Sequence, residues 1–304
     1  MPSRRTINKM LLAMGALSLS NSQATTLKLI HKSLPKATHS IPAIGMGTWI
    51  TFDVDPERTN LNKHIAILEA FFKGGGRLID SSPMYGYAQQ LLGQTLPKAQ
   101  GHERLFSATK VWTMGKDNGA EQMRQSMQLW GVPSMDLMFI HNMLDWETHL
   151  KTLNQWKAEG KIKYTGITTS HGRRHSALID MLKNNPVDFV QFSYNIHDRE
   201  AENKLLPLAQ DLGIGVVINR PFQTGGLFTR VQGKPLPDWA NEIQCENWAQ
   251  FFLKFIISHP AVTCAIPATS QVEHMQQNMQ ALQGALPDRA MRKEMVKYFE
   301  SKRL

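Results

Sequence analysis

The sequence holds only two cysteines in 304 residues, Cys245 and Cys264. Two are too few for a disulfide framework, and neither stands in a metal-ligand spacing. Cys264, inside AVTCAIP, reads as a small buried side chain. A stripe of Lys and Arg with interleaved aromatics is also missing; the one tight basic cluster is HGRRH at 171–175, which argues against nucleic-acid binding. The dinucleotide fingerprint G-x-G-x-x-G is absent. GMGTW (45–49) carries two of its glycines and runs into TFDVDP, not a helix. No internal repeat or low-complexity linker marks a second domain.

The first 24 residues, MPSRRTINKMLLAMGALSLSNSQA, differ from the rest. Paired arginines precede an apolar stretch from Met10 to about Leu19, and small residues follow to Ala24. This is the layout of an export signal, and its apolar part falls far short of the ~20 residues a membrane-spanning helix needs. Ser3-Arg4-Arg5-x-Ile7-x-Lys9 resembles the twin-arginine signal, which implies export of a folded protein to the periplasm by the twin-arginine machinery. No permanent anchor is expected. Of the formal charge of +9, Arg4, Arg5 and Lys9 supply three, leaving +6 on the remainder.

With 42% hydrophobic residues, residues 25–304 can bury one large core. From about Ile41 the chain alternates short apolar runs with longer segments whose apolar residues recur at three and four. The predicted strands are 44–49, 78–81, 105–110, 137–141, 164–168, 189–192, 215–219 and 263–267. Helical patterns such as HIAILEAFFKGG (64–75) and EQMRQSMQLWG (121–131) lie between them, several ending in glycine at Gly74, Gly131, Gly160 and Gly213. Eight repeats of strand and helix predict an α/β fold, a single-domain (β/α)8 TIM barrel. The Pro- and Gly-richer segment 226–243 is expected as an ordered loop over the top face.

Active sites of such barrels lie at the C-terminal strand ends. Those ends carry Asp80, Lys110, His141, Thr168, Thr169, Gln191 and Asn219. A buried carboxylate needs a cation, and Lys110 is the one available to Asp80. Tyr85, on the loop after the second strand, can reach over both. An ammonium beside a phenol favours the phenolate, so the sequence predicts a Tyr85 pKa below its usual value. His141 can donate a hydrogen bond to an oxygen held between it and Tyr85. Together they form a site that polarises a carbonyl and protonates the developing alkoxide. A hydride from a cofactor would complete the chemistry.

LIDSSPMYG (78–86), SATKVW (107–112) and FIHN (139–142) resemble the Asp, Tyr, Lys and His motifs of the aldo-keto reductases, and the likeness runs from IPAIGMGTW (41–49) to IPATSQVEHMQQNMQAL (266–282). The resemblance implies a carbonyl-reducing enzyme without a Rossmann domain that binds NADP(H) across the strand ends. It makes Asp80, Tyr85, Lys110 and His141 the catalytic tetrad, with Tyr85 as general acid/base. Thr168 and Thr169 stand where the family has Ser-Asn for the nicotinamide carboxamide, and Gln191 matches the family's Gln or Asn. Asn219 replaces an aromatic that stacks on the nicotinamide, and Arg220 beside it is left for phosphate or substrate. Where the family grips the 2′-phosphate with Lys and Arg, this chain has Ala268 and His274; Thr269 and the adenine-side Asn278 remain. The implied cofactor is therefore NADP(H), with NAD(H) admitted. Two other readings stay open: a lyase using Lys110 as a Schiff base, and a non-catalytic exported barrel acting as a binding protein. Met84, Tyr87, Trp112, Met143 and Trp146 are either pocket lining or loop packing.

Overall fold

The computed structural model describes residues 28–34 and 40–302, so the expected export signal lies outside the described residues. Strands β1 (His31–Ser33) and β2 (Ser40–Pro42) form an antiparallel hairpin. Eight parallel strands follow: β3 (Met46–Gly47), β4 (Leu78–Asp80), β5 (Phe106–Val111), β6 (Met135–Ile140), β7 (Ile162–Thr168), β8 (Phe189–Ser193), β9 (Gly215–Asn219) and β10 (Cys264–Ala265). They hydrogen-bond in chain order. The two end strands meet through a parallel bridge between Ile44 and Ala265, with Gly45 N–H donating to the Ala265 carbonyl at 2.8 Å. The sheet is thus a closed barrel. These two seam strands are shorter than their apolar runs predict. Pro267 has no N–H to extend the ladder, and a turn begins at Trp49.

Side-chain parity sorts each strand between two apolar clusters. Leu78, Phe106, Ala108, Leu137, Phe139, Phe189, Val217 and Cys264 fill the interior, joined by Leu34 and Ile41 of the hairpin, which plug one end. Their neighbours Ile79, Met138, Ile140, Val190, Val216 and Ile218 face outward onto the helices. Both faces are dry, which is why the strands read as unbroken apolar runs. The interior alternates large with small, as packed barrels do. A Cβ on Gly166 of β7 would lie 2.4 Å from the Phe139 ring, so only hydrogen fits there.

The helices between strands are α1 (Leu61–Lys73), α2 (Ala88–Thr95), α3 (Lys116–Trp130), α4 (Trp146–Ala158), α5 (His175–Asn184), α6 (Leu205–Asp211), α7 (Gly226–Arg230) and α8 (Trp248–Ile257); α9 (Val272–Gln280) and α10 (Arg289–Ser301) follow β10. Helix α1 shows the logic. Asn60 caps it by accepting the Asn62 N–H, and Ile67, Leu68, Phe71 and Phe72 form its buried stripe. Helix α8 is buried all round, and its Lys254 ammonium is satisfied by the carbonyls of Ile243, Gln283 and Ala285. Segment 226–243 divides. Its first part, α7, reaches the barrel mouth through Phe228, whereas Trp239 packs on Phe251 of α8.

Gly166→Ala is expected to lower stability by about 1–3 kcal/mol through overpacking against Phe139. Trimming the ring in Gly166→Ala/Phe139→Leu should recover part of that loss in urea unfolding. Equal midpoints for wild type and Gly166→Ala would refute the interior packing.

Candidate active site

Inward parity carries past the apolar plug to the mouth of the barrel. There, six successive strands carry a polar residue at or near their C-terminal ends: Asp80, Lys110, His141, Thr168, Gln191 and Asn219. Lys110, fully buried, donates to Asp80 Oδ2 at 2.6 Å and to the Ser81 carbonyl at 2.8 Å. Asp80 Oδ1 accepts from Gln191 Nε2 at 2.9 Å. Asn219 Nδ2 donates to the Thr169 carbonyl at 3.0 Å, and its Oδ1 accepts from Ser193 Oγ at 2.7 Å. A hydrogen-bonded chain therefore crosses the mouth around the Asp80–Lys110 ion pair. The pairing with Asp80 favours the charged form of this lysine, and a charged amine is no Schiff-base nucleophile.

Tyr85 is placed by the turn after β4. Its N–H donates to the Ser82 carbonyl at 3.0 Å, and Gly86 follows with φ +51°. A Cβ at Gly86 would stand 1.9 Å from Asp53 Oδ1, the same oxygen that accepts the Tyr87 N–H at 3.0 Å. Glycine thus lets this loop close on the loop after β3. The Tyr85 ring meets His141 edge-on, centroids 5.8 Å apart and planes at 86°, and Lys110 Nζ lies 5.0 Å from its centroid. All four tetrad candidates come together. Asp80, Tyr85 and His141 line one cavity of about 350 Å³ with Thr168, Gln191 and Asn219.

The electrostatics differ from the sequence expectation at Tyr85. Burial, and then the Asp80 carboxylate, push the phenol well above its usual pKa instead of below it. Lys110 is already neutralised by Asp80, so its field does not override desolvation. Tyr85 is a firmly protonated acid. Burial pulls the Lys110 ammonium below the usual lysine range, while Asp80 draws it back. Burial and the Lys110 charge hold His141 down to about 2, so its imidazole is neutral at working pH.

The remaining candidates divide. Thr168 Oγ1 accepts the Asn142 N–H at 2.9 Å, and Thr169 Oγ1 is buried without a partner beside it. With Gln191 and Asn219 these groups offer both donors and acceptors, which suits a planar carboxamide. Arg220 stands on the cavity wall in a left-handed conformation, φ 51°, with Asp198 as the carboxylate acting on it. The cavity wall ends at Ala268. Thr269 lies beyond it, its hydroxyl accepting the Gln271 N–H at 3.1 Å, with His274 exposed and Asn278 buried on α9. Of the five apolar candidates, Met84 lines the cavity, Tyr87 and Trp112 are exposed, and Met143 and Trp146 pack on the core. Trp49, Ile50, Phe222 and Phe228 line it as well. Phe228 lies on α7, in the segment expected over the top face; the other three sit on turns whose course the sequence pattern does not reveal. Ser82, against His141, was equally invisible.

Lys110→Met leaves Asp80 buried without its cation and should cost about 3–5 kcal/mol. Asp80→Asn/Lys110→Met should be destabilised by clearly less than the sum of the single variants. Additive losses in urea denaturation would count against a coupled pair.

The aldo/keto reductase family model matches residues 43–295. Over 251 residues the chain is 27% identical to the methylglyoxal reductase YeaE of Escherichia coli, covering 80% of this chain and 86% of that one. It is 28% identical over 242 residues to the NADH-specific methylglyoxal reductase of Escherichia coli, covering 66% and 71%. Among solved structures, an aldo/keto reductase from Klebsiella pneumoniae in complex with NADP and acetate superposes with a TM-score of 0.72 at 23% identity, covering 86% of this chain and 92% of that one. The holo form of an aldo-keto reductase from Bacillus halodurans gives 0.73 at 20% identity, covering 90% and 96%. With this barrel and a family match over most of its length, the chain belongs to the aldo/keto reductase family.

Proposed function

We propose that the cavity reduces the carbonyl of a small aldehyde or ketone to an alcohol with NAD(P)H, and that Tyr85 is the general acid in this direction and the base in reverse. One observation carries the reading: a phenol and an imidazole converge on a single cavity above a buried ion pair. When bound there, the reduced nicotinamide supplies a hydride. Tyr85 gives its proton to the developing alkoxide, a stronger base than the phenolate left behind. Lys110, 5.0 Å from the ring centroid, then faces a negative charge it can stabilise. His141 holds the carbonyl oxygen in line with the Tyr85 hydroxyl.

Thr168, Thr169, Gln191 and Asn219 would hold the carboxamide, and Arg220 the diphosphate. Thr269, His274 and Asn278 would serve the adenosine end. Two missing cations at Ala268 and His274 remove charge-assisted bonds worth about 1.5–3 kcal/mol each, so NADH becomes an acceptable alternative to NADPH. The two methylglyoxal reductases among the relatives support a small 2-oxoaldehyde as the substrate class.

We further infer that the barrel is exported folded to the periplasm, carrying its nucleotide. Ser3-Arg4-Arg5 and the short apolar stretch after it support this reading, and among the described residues no helix is long and apolar enough to cross a membrane.

Tyr85→Phe should lose roughly 10²–10⁴-fold in kcat/KM for methylglyoxal reduction, followed by loss of nucleotide absorbance, while nucleotide affinity is unchanged. No fluorescence change with either NADPH or NADH would sink the reading. For export, Arg4→Lys/Arg5→Lys should retain the protein in the cytoplasm of a fractionated cell; continued appearance in the periplasm would exclude the twin-arginine route.

A further inference from the structure

His141 has two ring nitrogens, and a neutral imidazole carries its proton on one of them. Which one decides whether the ring donates to a carbonyl oxygen or repels it. The partner of Nδ1 is Ser82 Oγ, at 2.9 Å. Ser82 is fully buried, and its oxygen also accepts the Met84 N–H at 3.2 Å. A serine hydroxyl has one proton to give. Among the described residues, Nδ1 is the acceptor within reach of that proton.

We propose that Ser82 is a positioning residue that donates to His141 Nδ1, fixes the imidazole proton on Nε2, and so aims an N–H at the substrate carbonyl. In the opposite tautomer, Nδ1–H would donate to the serine oxygen. The Ser82 hydroxyl proton, on a side chain buried from solvent, would then have no acceptor among the described residues. An unpaired buried donor disfavours that arrangement by roughly tenfold to a hundredfold. Burial, and then the Lys110 ammonium, keep the ring neutral, the state on which the choice rests. The Ser82 backbone contributes too, since its carbonyl accepts the Tyr85 N–H at 3.0 Å. One residue thus sets both partners of the carbonyl oxygen: the place of the phenol by its main chain, and the protonation pattern of the imidazole by its side chain.

The role rests on the reductase reading, but its test does not require turnover. In the ¹⁵N-labelled protein without nucleotide or substrate, the long-range proton–nitrogen spectrum of His141, assigned against His141→Gln, should show Nε2 protonated and Nδ1 bare at pH 7 to 8. Ser82→Ala should mix the two forms and shift both nitrogens toward each other. It should also lower kcat by roughly tenfold, short of the roughly 10²–10³ for removing an oxyanion donor outright, with nucleotide affinity unchanged. Ser82→Thr restores a hydroxyl and should restore both readouts. A protonated Nδ1 in the wild type overturns the proposal, as does an Ser82→Ala spectrum identical to the wild type. If the variants fail to fold, the wild-type spectrum decides alone. An Nε2–H tautomer in a protein with no reductase activity would count against the reaction and not against the assignment of the proton.

Discussion

The ion pair between Asp80 and Lys110 is the constraint around which the barrel mouth is arranged. Two opposite charges are buried where the protein has little water to solvate either. Such a pair is tolerable only when every remaining polar valence is met. Here Gln191 takes the second Asp80 oxygen, and the Ser81 carbonyl takes a second Lys110 proton. The pair therefore fixes the ends of β4, β5 and β8 relative to one another. Tyr85 and His141 inherit their positions from that frame.

The same pair determines the charge state of its neighbours. A free ammonium would draw the Tyr85 phenol toward ionisation. Matched with Asp80, Lys110 leaves burial as the dominant influence, and the phenol stays an acid. Toward His141 its charge still acts, and it acts in the direction of burial, so the imidazole is kept neutral. A protonated phenol and a neutral imidazole are the two states that carbonyl reduction requires. They arise from desolvation first and from the two charges of the ion pair second, Asp80 acting on Tyr85 and Lys110 on His141.

Much of this was legible in the chain. The order of Asp80, Tyr85, Lys110 and His141, each at or just beyond the end of an apolar run, followed from alternation and spacing, and so did eight strands joined by amphipathic helices. The strand ends made the site readable; the structure adds that Asp80 shares an inward row with Leu78, and Lys110 with Phe106 and Ala108. Loop residues were not legible. Trp49 and Phe222 reach the cavity along backbone whose course depends on tertiary packing, while Met143 and Trp146, left open between pocket lining and loop packing, pack on the core.

The sequence by itself determined the barrel, the polar residues at the strand ends and the pairing of a buried acid with a buried ammonium, because eight short apolar runs alternating with helical patterns and the cost of an isolated buried charge leave little freedom. The tertiary structure alone decided the direction of the Tyr85 shift and the contact between Ser82 and His141. Both depend on how completely water is excluded and on which atom faces which across 59 residues of chain. Desolvation and hydrogen-bond direction are properties of the packed site, and no spacing along the chain encodes them.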